Sequence, residues 1–431
     1  MTYFLRSITS LSLIGVSCAL MSTSVWAQDS SNPNKPAMYP TPKNQTQSAN
    51  KPHVSKGDLA GHRPIVAHYL LEQTVKRQDP LQLGNVNISG LANLQANYWT
   101  RGHFDQRDNK AFLDLDSLYV NLSSHLNDWT EITISGLYKN AGSSPVKYWP
   151  TGGTRGANRH PRLQEANVKF ANWSQSPLFA RVGQMFMPFG RYKRYQLVPG
   201  ITQQLTQIHQ PGLQIGGIYH NGVYWTTYGI VGPKSHSSGQ QLNNYGLTAG
   251  YRSDNHPVNY DFGVSYLHDL AAIDSLQQVI DDQGGSGQQV PAVSAYGDLQ
   301  MGPFSYGVRY MAALRHFSSN VFAFQQHSSQ DGARPDAFDI WAGYQFKTLQ
   351  HHSSFKLAYG MSRDAYNTAS VVNQDEYYQI PKSRISLTYN VNLIKNVVLM
   401  ANIRRDRDYD HHHGGTNQHE YAATLRLSYL F

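Results

Sequence analysis

The sequence predicts an all-β protein: a transmembrane antiparallel β-barrel of about sixteen strands, with short periplasmic turns and long extracellular loops. Three observations predict it. Apolar and polar side chains alternate with a period of two from Asn85 onward. The connections between the alternating segments are short and long in turn. The last segment keeps its apolar row up to Phe431.

Composition fits the same class. Aromatic residues make up 12% of the chain, with 28 Tyr, and Gly numbers 35. Charged residues are only 15%, against about a quarter of a soluble domain. After the N-terminus no run of apolar residues is long enough for a membrane helix. In lipid, only helices and closed barrels satisfy every backbone group, which leaves the barrel.

The elements follow in order. Arg6, then an apolar run from Leu11 to Met21, then Val25-Trp26-Ala27, reads as a signal peptide over residues 1–27, implying export to the outer membrane. The single cysteine, Cys18, lies within it, so neither disulfides nor cysteine metal sites are expected in the mature chain. Residues 28–80 are rich in Pro, Asn, Gln, Ser and Lys, and read as a mostly disordered periplasmic linker with one short helix possible over Pro64 to Arg77. The barrel is expected over 81–431.

Strands are expected near 85–99, 111–126, 129–140, 161–173, 177–187, 212–220, 222–232, 243–252, 259–268, 291–301, 303–314, 335–347, 353–363, 381–391, 396–407 and 419–431. The first is representative. Val86, Ile88, Ala92, Leu94, Ala96 and Tyr98 share one face, and Asn87, Ser89, Asn93, Gln95 and Asn97 the other. That is lipid outside and polar lumen inside. The second strand fits worst: Asp114 and Asp116 fall in register with Leu118, Val120 and Leu122, which predicts a bulge or a strand end outside the lipid.

The short connections include Asn127-Asp128, Asn221-Gly222, Gly302-Pro303, Leu349 to His352 and Asn392 to Lys395. Asn221-Gly222 reads as a type I′ hairpin. The long ones include 141–160, 188–211, 269–290, 315–334, 364–380 and 408–418. With both termini periplasmic, every short turn falls on the periplasmic side. The terminal row Tyr421, Ala423, Leu425, Leu427, Tyr429 and Phe431 resembles the signal read by the barrel-assembly machinery.

No nucleophile and base are spaced for catalysis, so an enzyme is not expected. Asp406, Asp408, Asp410 and His411 to His413 read as a polar loop tip rather than a metal site. No metal, cofactor or nucleic-acid partner is expected. If the apolar rows face lipid, Lys356, Arg384, Arg404 and Arg426 point inward from neighbouring strands as a basic arc, opposite acids such as Glu131, Glu165, Asp261, Asp298 and Asp339. Such a field favours anions. The 188–211 connection carries Arg191, Lys193 and Arg194 among aromatics. Folded inward, it would narrow the pore and meet a carboxylate or phosphate ligand. Left outside, it would contact lipopolysaccharide phosphates.

The stretch Val182-Gly183-Gln184-Met185-Phe186-Met187-Pro188-Phe189-Gly190, with Gln214 to Gly217 and Asn221-Gly222 after it, resembles the LbtU-type siderophore porins of Gram-negative bacteria. The resemblance spans roughly 85–431. It implies a sixteen-stranded barrel that takes up iron–siderophore complexes. Sixteen strands and polar turns allow a homotrimer. A net charge of +8 suits an anionic solute. Two other readings stand beside it: a general or anion-selective porin, and a surface adhesin that transports nothing.

Overall fold

The computed structural model describes residues 81–100, 110–139, 161–191, 199–231, 242–253, 258–276, 280, 288–319, 332–365, 380–413 and 415–431. The expected signal peptide and linker, residues 1–80, lie outside the described residues.

All sixteen expected strands are present: β2 (Val86–Thr100), β3 (Lys110–His125), β4 (Thr130–Lys139), β5 (Arg162–Ala171), β6 (Leu178–Phe186), β7 (His209–Ile218), β8 (Val223–Val231) and β9 (Leu242–Ser253). They continue as β10 (Val258–Leu267), β11 (Ala292–Met301), β12 (Phe304–Ala313), β13 (Asp336–Thr348), β14 (His351–Arg363), β15 (Ser383–Ile394), β16 (Val397–Arg407) and β17 (His419–Leu430). Each pairs antiparallel with the next. β17 then pairs back on β2, from Tyr421↔Thr100 to Leu430↔Leu91, and closes the ring. Closure removes the sheet edges, which is what a β-structure needs in lipid.

The burial pattern is inverted relative to a soluble protein. Phe262 is 52% and Leu425 48% exposed, whereas Asn93 and Gln214 are 0%. Along β17 and the residue after it the outward row runs from Phe431 to Tyr421, a span of ten residue steps. At a tilt of about 45° and about 3.4 Å per residue this spans roughly 24 Å, the height of a barrel's apolar band. Aromatic rings bound it: Tyr429 stacks on Phe431, centroids 6.2 Å apart, at the short-turn end.

Two local features refine the strand pattern. The register between β2 and β3 shifts between Asn93↔Ser117 and Leu94↔Leu115, so Asp116 is an extra residue. This is the expected bulge, and it flips the alternation: Leu113 and Leu115 face out on one side of it, Leu118 and Leu122 on the other. A seventeenth strand, β1 (Leu81–Leu83), was not expected; three residues carry too little periodicity to read. It pairs with Val86–Ile88 on the part of β2 that β17 does not reach.

One turn corrects the expectation. At Asn221-Gly222 only Gly222 has positive φ, at 93°. Its N–H donates to the Tyr219 carbonyl at 3.1 Å, while Tyr219 N–H donates to Val223 O at 2.9 Å. The loop therefore holds three residues, with glycine at the left-handed bulge position, rather than two in a type I′ turn. The pair of consecutive positive φ values that a type I′ turn requires occurs instead at Leu349 (48°) and Gln350 (72°).

Candidate functional site: the inner wall and the inward loop

The described parts of the connection from β6 to β7, residues 187–191 and 199–208, fold into the barrel and are held by the inner wall. Thr248 Oγ1 donates to Pro188 O. Gly190 N–H donates to Ser265 Oγ at 3.3 Å. Arg191 forms an ion pair with Asp261, and its carbonyl accepts from Arg309 Nε at 2.6 Å. Arg309 itself is held by Asp298 at 2.8 Å. Further along, Arg384 Nη1 donates to Pro199 O at 2.8 Å. The loop is thus pinned to β9, β10, β12 and β15.

The strongest pin is a carboxylate at the start of a one-turn helix, α1 (Ile201–Gln204). Asp339 on β13 accepts from Ile201 N–H at 3.3 Å, from Thr202 N–H at 2.8 Å and from Thr202 Oγ1. These N–H groups have no partner within the helix, so the wall supplies the cap that Gly200 lacks. Glycine is required on both sides: a Cβ on Gly200 or on Gly360 would run into the Asp339 carboxylate.

The loop's other side is apolar. Ile201, Leu205 and Ile208 are fully buried with Met185, Met187 and Phe189, and with Leu270, Ile273 and Leu276 from the next long loop. Polar contacts tie these two loops together. Asp274 accepts from His209 N–H at 2.9 Å and from Gln207 Nε2 at 3.0 Å, and its N–H donates to Gln207 O at 2.9 Å. Ser275 Oγ donates to Gln204 O at 2.6 Å. Burial pushes the Asp274 carboxyl up to about 7, against which its hydrogen bonds act. Sequence reasoning missed this packed apolar mouth. The signal was present: Met185-Phe186-Met187 interrupts the alternation, and Ile201, Leu205 and Ile208 have helical spacing.

Lys356, Arg384, Arg404 and Arg426 all face inward. They do not form a bare basic arc. Arg384 is bidentate on Asp406, at 2.7 and 2.8 Å. Arg404 lies between Asp406 at 3.2 Å and Glu420 at 2.7 Å. Arg426 donates to Gln95 and, at 3.2 Å, to Asp116. The physical reason is desolvation. A guanidinium held against a protein wall loses much of its hydration and needs a carboxylate in return. Three cations against Asp406, Glu420 and Asp116 cancel; the Lys356 ammonium lies 5.9 Å from the Trp341 ring centroid. Asp406 is therefore corrected from loop residue to inner-wall residue, and the bulge at Asp116 acquires a purpose: it turns that carboxylate toward Arg426. Arg191 is consumed by Asp261. Lys193 and Arg194 lie outside the described residues.

Strand register makes a staircase of the arginines. Arg426 is level with Met400, four residues below Arg404, and Arg384 is level with Asp406, two residues above it. The steps are roughly 13 and 7 Å along the strands. Between and below these steps the wall is neutral and polar: Thr424 Oγ1, level with Asn402 between the first two arginines, donates to Asn97 Oδ1 at 2.8 Å, and Ser428 Oγ, below Arg426, donates to Asn93 Oδ1 at 2.6 Å. The staircase ends at Arg384, which touches the inward loop.

Comparisons with known proteins agree with the geometry. No family model matches the chain. It is 28% identical over 252 residues to a UPF0422 protein of Coxiella burnetii, covering 57% of this chain and 51% of that protein. It is 22% identical over 340 residues to a UPF0422 protein of Legionella pneumophila, covering 75% and 59%. The chain thus spans between half and three fifths of the length of these curated relatives. Among solved structures it is similar to OmpF of Salmonella typhi in complex with daunomycin (TM-score 0.55, 11% identity, covering 81% of this chain and 100% of that one). It is similar to an anion-selective porin of Comamonas acidovorans (0.54, 10%, 80% and 99%). It is also similar to the outer-membrane channel DcaP of Acinetobacter baumannii (0.51, 12%, 80% and 97%). At these identities the likeness is one of architecture, and the architecture is that of outer-membrane porins.

Proposed function

We propose that the protein is an outer-membrane pore for small polar solutes, and that anionic solutes, iron–siderophore complexes among them, are its cargo. The observation that carries the reading is the polar inner wall with a loop pinned across it by Asp339, Arg384 and the Arg191–Asp261 pair. A wall of this kind offers paired donors and acceptors to a hydrated solute, and the loop narrows the path. The siderophore class rests on the resemblance at Val182 to Gly190 and on the net charge of +8. The UPF0422 relatives share the reading only as far as the chain covers them.

The charge-balanced staircase favours a second reading, a general porin with weak ion preference, because Arg384, Arg404 and Arg426 are already paired with carboxylates. Planar-bilayer recordings under a salt gradient separate the readings. Ion conductance with a reversal potential favouring anions is expected, and Lys356→Glu should move it toward cations. Lys356 is the position to change, since Glu at 384 or 404 would sit beside Asp406 and Glu420. An unchanged reversal potential would remove the anion preference. Unaltered siderophore-dependent iron uptake in a deletion strain would remove the siderophore cargo. Absence of conductance would leave the surface-structural reading.

A further inference from the structure

The outward row changes character at the long-loop end of β16 and β17. Leu399 and Ile403 on β16, and Leu427 and Leu425 on β17, face lipid. The next outward positions are Arg405 and Arg407, both exposed. Across the strand pair, Arg405 lies opposite Tyr421 and Arg407 opposite His419. The Arg405 guanidinium is 5.8 Å from the Tyr421 ring centroid, and its Nη2 donates to His419 Nε2 at 3.1 Å. Arg407 Nη2 reaches Asn417 Oδ1 at 3.5 Å.

Neither guanidinium has a carboxylate partner among the described residues. The acids that alternate with them, Asp406 and Glu420, face inward and are taken by Arg384 and Arg404. Neighbouring outward cations are different. Arg363 at the end of β14 is paired with Asp336 at 2.9 Å, and Lys382 with Asp410 at 3.2 Å. Two guanidinia without a described carboxylate therefore stand level with Tyr421 and one step beyond it, roughly 24 Å along the barrel axis from Phe431, where the hydrocarbon gives way to head groups.

We propose that Arg405 and Arg407, flanked by His419 and Tyr421, are a docking site for the phosphate groups of the outer leaflet's phosphorylated glycolipid. Their side chains leave the same face of one strand about 7 Å apart. Each presents a planar fork that matches a phosphate bidentately. Tyr421 places a ring with a polar tip at the same interface. A phospholipid offers one phosphate at this height; a diphosphorylated glycolipid, whose acyl chains cover the row below, engages both arginines. The inference rests on the outer-membrane reading and not on the cargo.

The test uses the folded barrel in mild detergent, its folding checked by heat-modifiable mobility on gels. Binding of purified lipopolysaccharide, of the same glycolipid after dephosphorylation, and of phosphatidylglycerol is measured by native mass spectrometry. The wild type and Arg405→Ala/Arg407→Ala are compared, with Arg363→Ala as control. Lipopolysaccharide should bind the double variant about tenfold or more weakly, and the dephosphorylated glycolipid equally to both proteins. Arg363→Ala should behave as wild type. Equal lipopolysaccharide binding by the double variant overturns the site, as does an equal loss in Arg363→Ala. Phosphatidylglycerol binding as tightly as lipopolysaccharide overturns the choice of glycolipid. Conductance of the double variant should be unchanged; a failure of the pore reading appears instead as missing conductance in every protein.

Discussion

Replacing Asp339 by Ala should release the inward loop without opening the barrel. The carboxylate accepts three hydrogen bonds from the first turn of α1, one of them at 2.8 Å from Thr202 N–H. Hydrogen bonds to a charged acceptor contribute about 1.5–3 kcal/mol each, and the sum is offset by the cost of burying the carboxylate. A net loss of about 3 kcal/mol raises the undocked fraction of the loop roughly 150-fold. The backbone ladder from β12 to β14 is untouched, because it does not involve this side chain. Asp339→Asn keeps an acceptor and loses the charge, so its effect should be about half as large in free energy. Gly360→Ala should reproduce the Ala phenotype by a different route, since its Cβ would displace the carboxylate. The assay is single-channel recording on folded protein: a higher mean conductance with added flicker is expected in Asp339→Ala and Gly360→Ala. Traces indistinguishable from wild type in both variants would refute the idea that this pin sets the constriction.

Other outcomes follow from the same geometry. Asp274 has its carboxyl raised by burial to about 7, above its unfolded value near 3.9. The folded state therefore holds the proton more tightly, so loop packing is strongest at acid pH and weakens as pH rises from about 4 to about 7. Protease sensitivity of the 187–208 loop should rise from pH 5 to pH 8, and Asp274→Asn should flatten that dependence; an unchanged slope in the variant would count against Asp274. At the tight turn, Leu349→Asn with Gln350→Gly relieves two positive-φ side chains and should stabilise by about 1 kcal/mol, read as a higher urea midpoint in lipid vesicles. At the seam, a Cβ on Gly90 would overlap the Phe431 ring and the Tyr119 carbonyl. Gly90→Ala should cost about 1–3 kcal/mol and lower the heat-resistant folded fraction on gels.

The barrel was legible because its two signals are local. Alternation along each strand reports which face meets lipid, and turn length reports which end of the barrel it lies on. The expected bulge near Asp116 came from the same logic, as a conflict between two registers. What lies inside the ring was not legible, because it depends on pairings between residues far apart in the chain. The inward direction of Arg384 follows from strand period. Its partner Asp406 falls inside the expected strand 396–407 yet groups with the acidic and histidine loop tip, because no local pattern links it to Arg384, 22 positions away. The role of Asp339 depends on a residue 137 positions away and leaves no trace in local pattern. The type I′ reading at Asn221-Gly222 failed for a smaller reason: the same dipeptide also suits a three-residue loop, and only the backbone angle at Asn221 distinguishes the two.

The seam between β17 and β2 joins residues more than 300 positions apart, as in the Arg426–Gln95 contact, where the separation is 331. Every other neighbouring strand pair forms between consecutive segments. The ring therefore has one long-range joint, made last by sequence logic and costly in chain entropy. Until it forms, β2 and β17 each present a bare row of amide and carbonyl groups, able to pair with a neighbouring chain. The two backbone hydrogen bonds that Gly90 and Phe431 exchange, at 2.6 and 3.1 Å, mark the closed state of that joint.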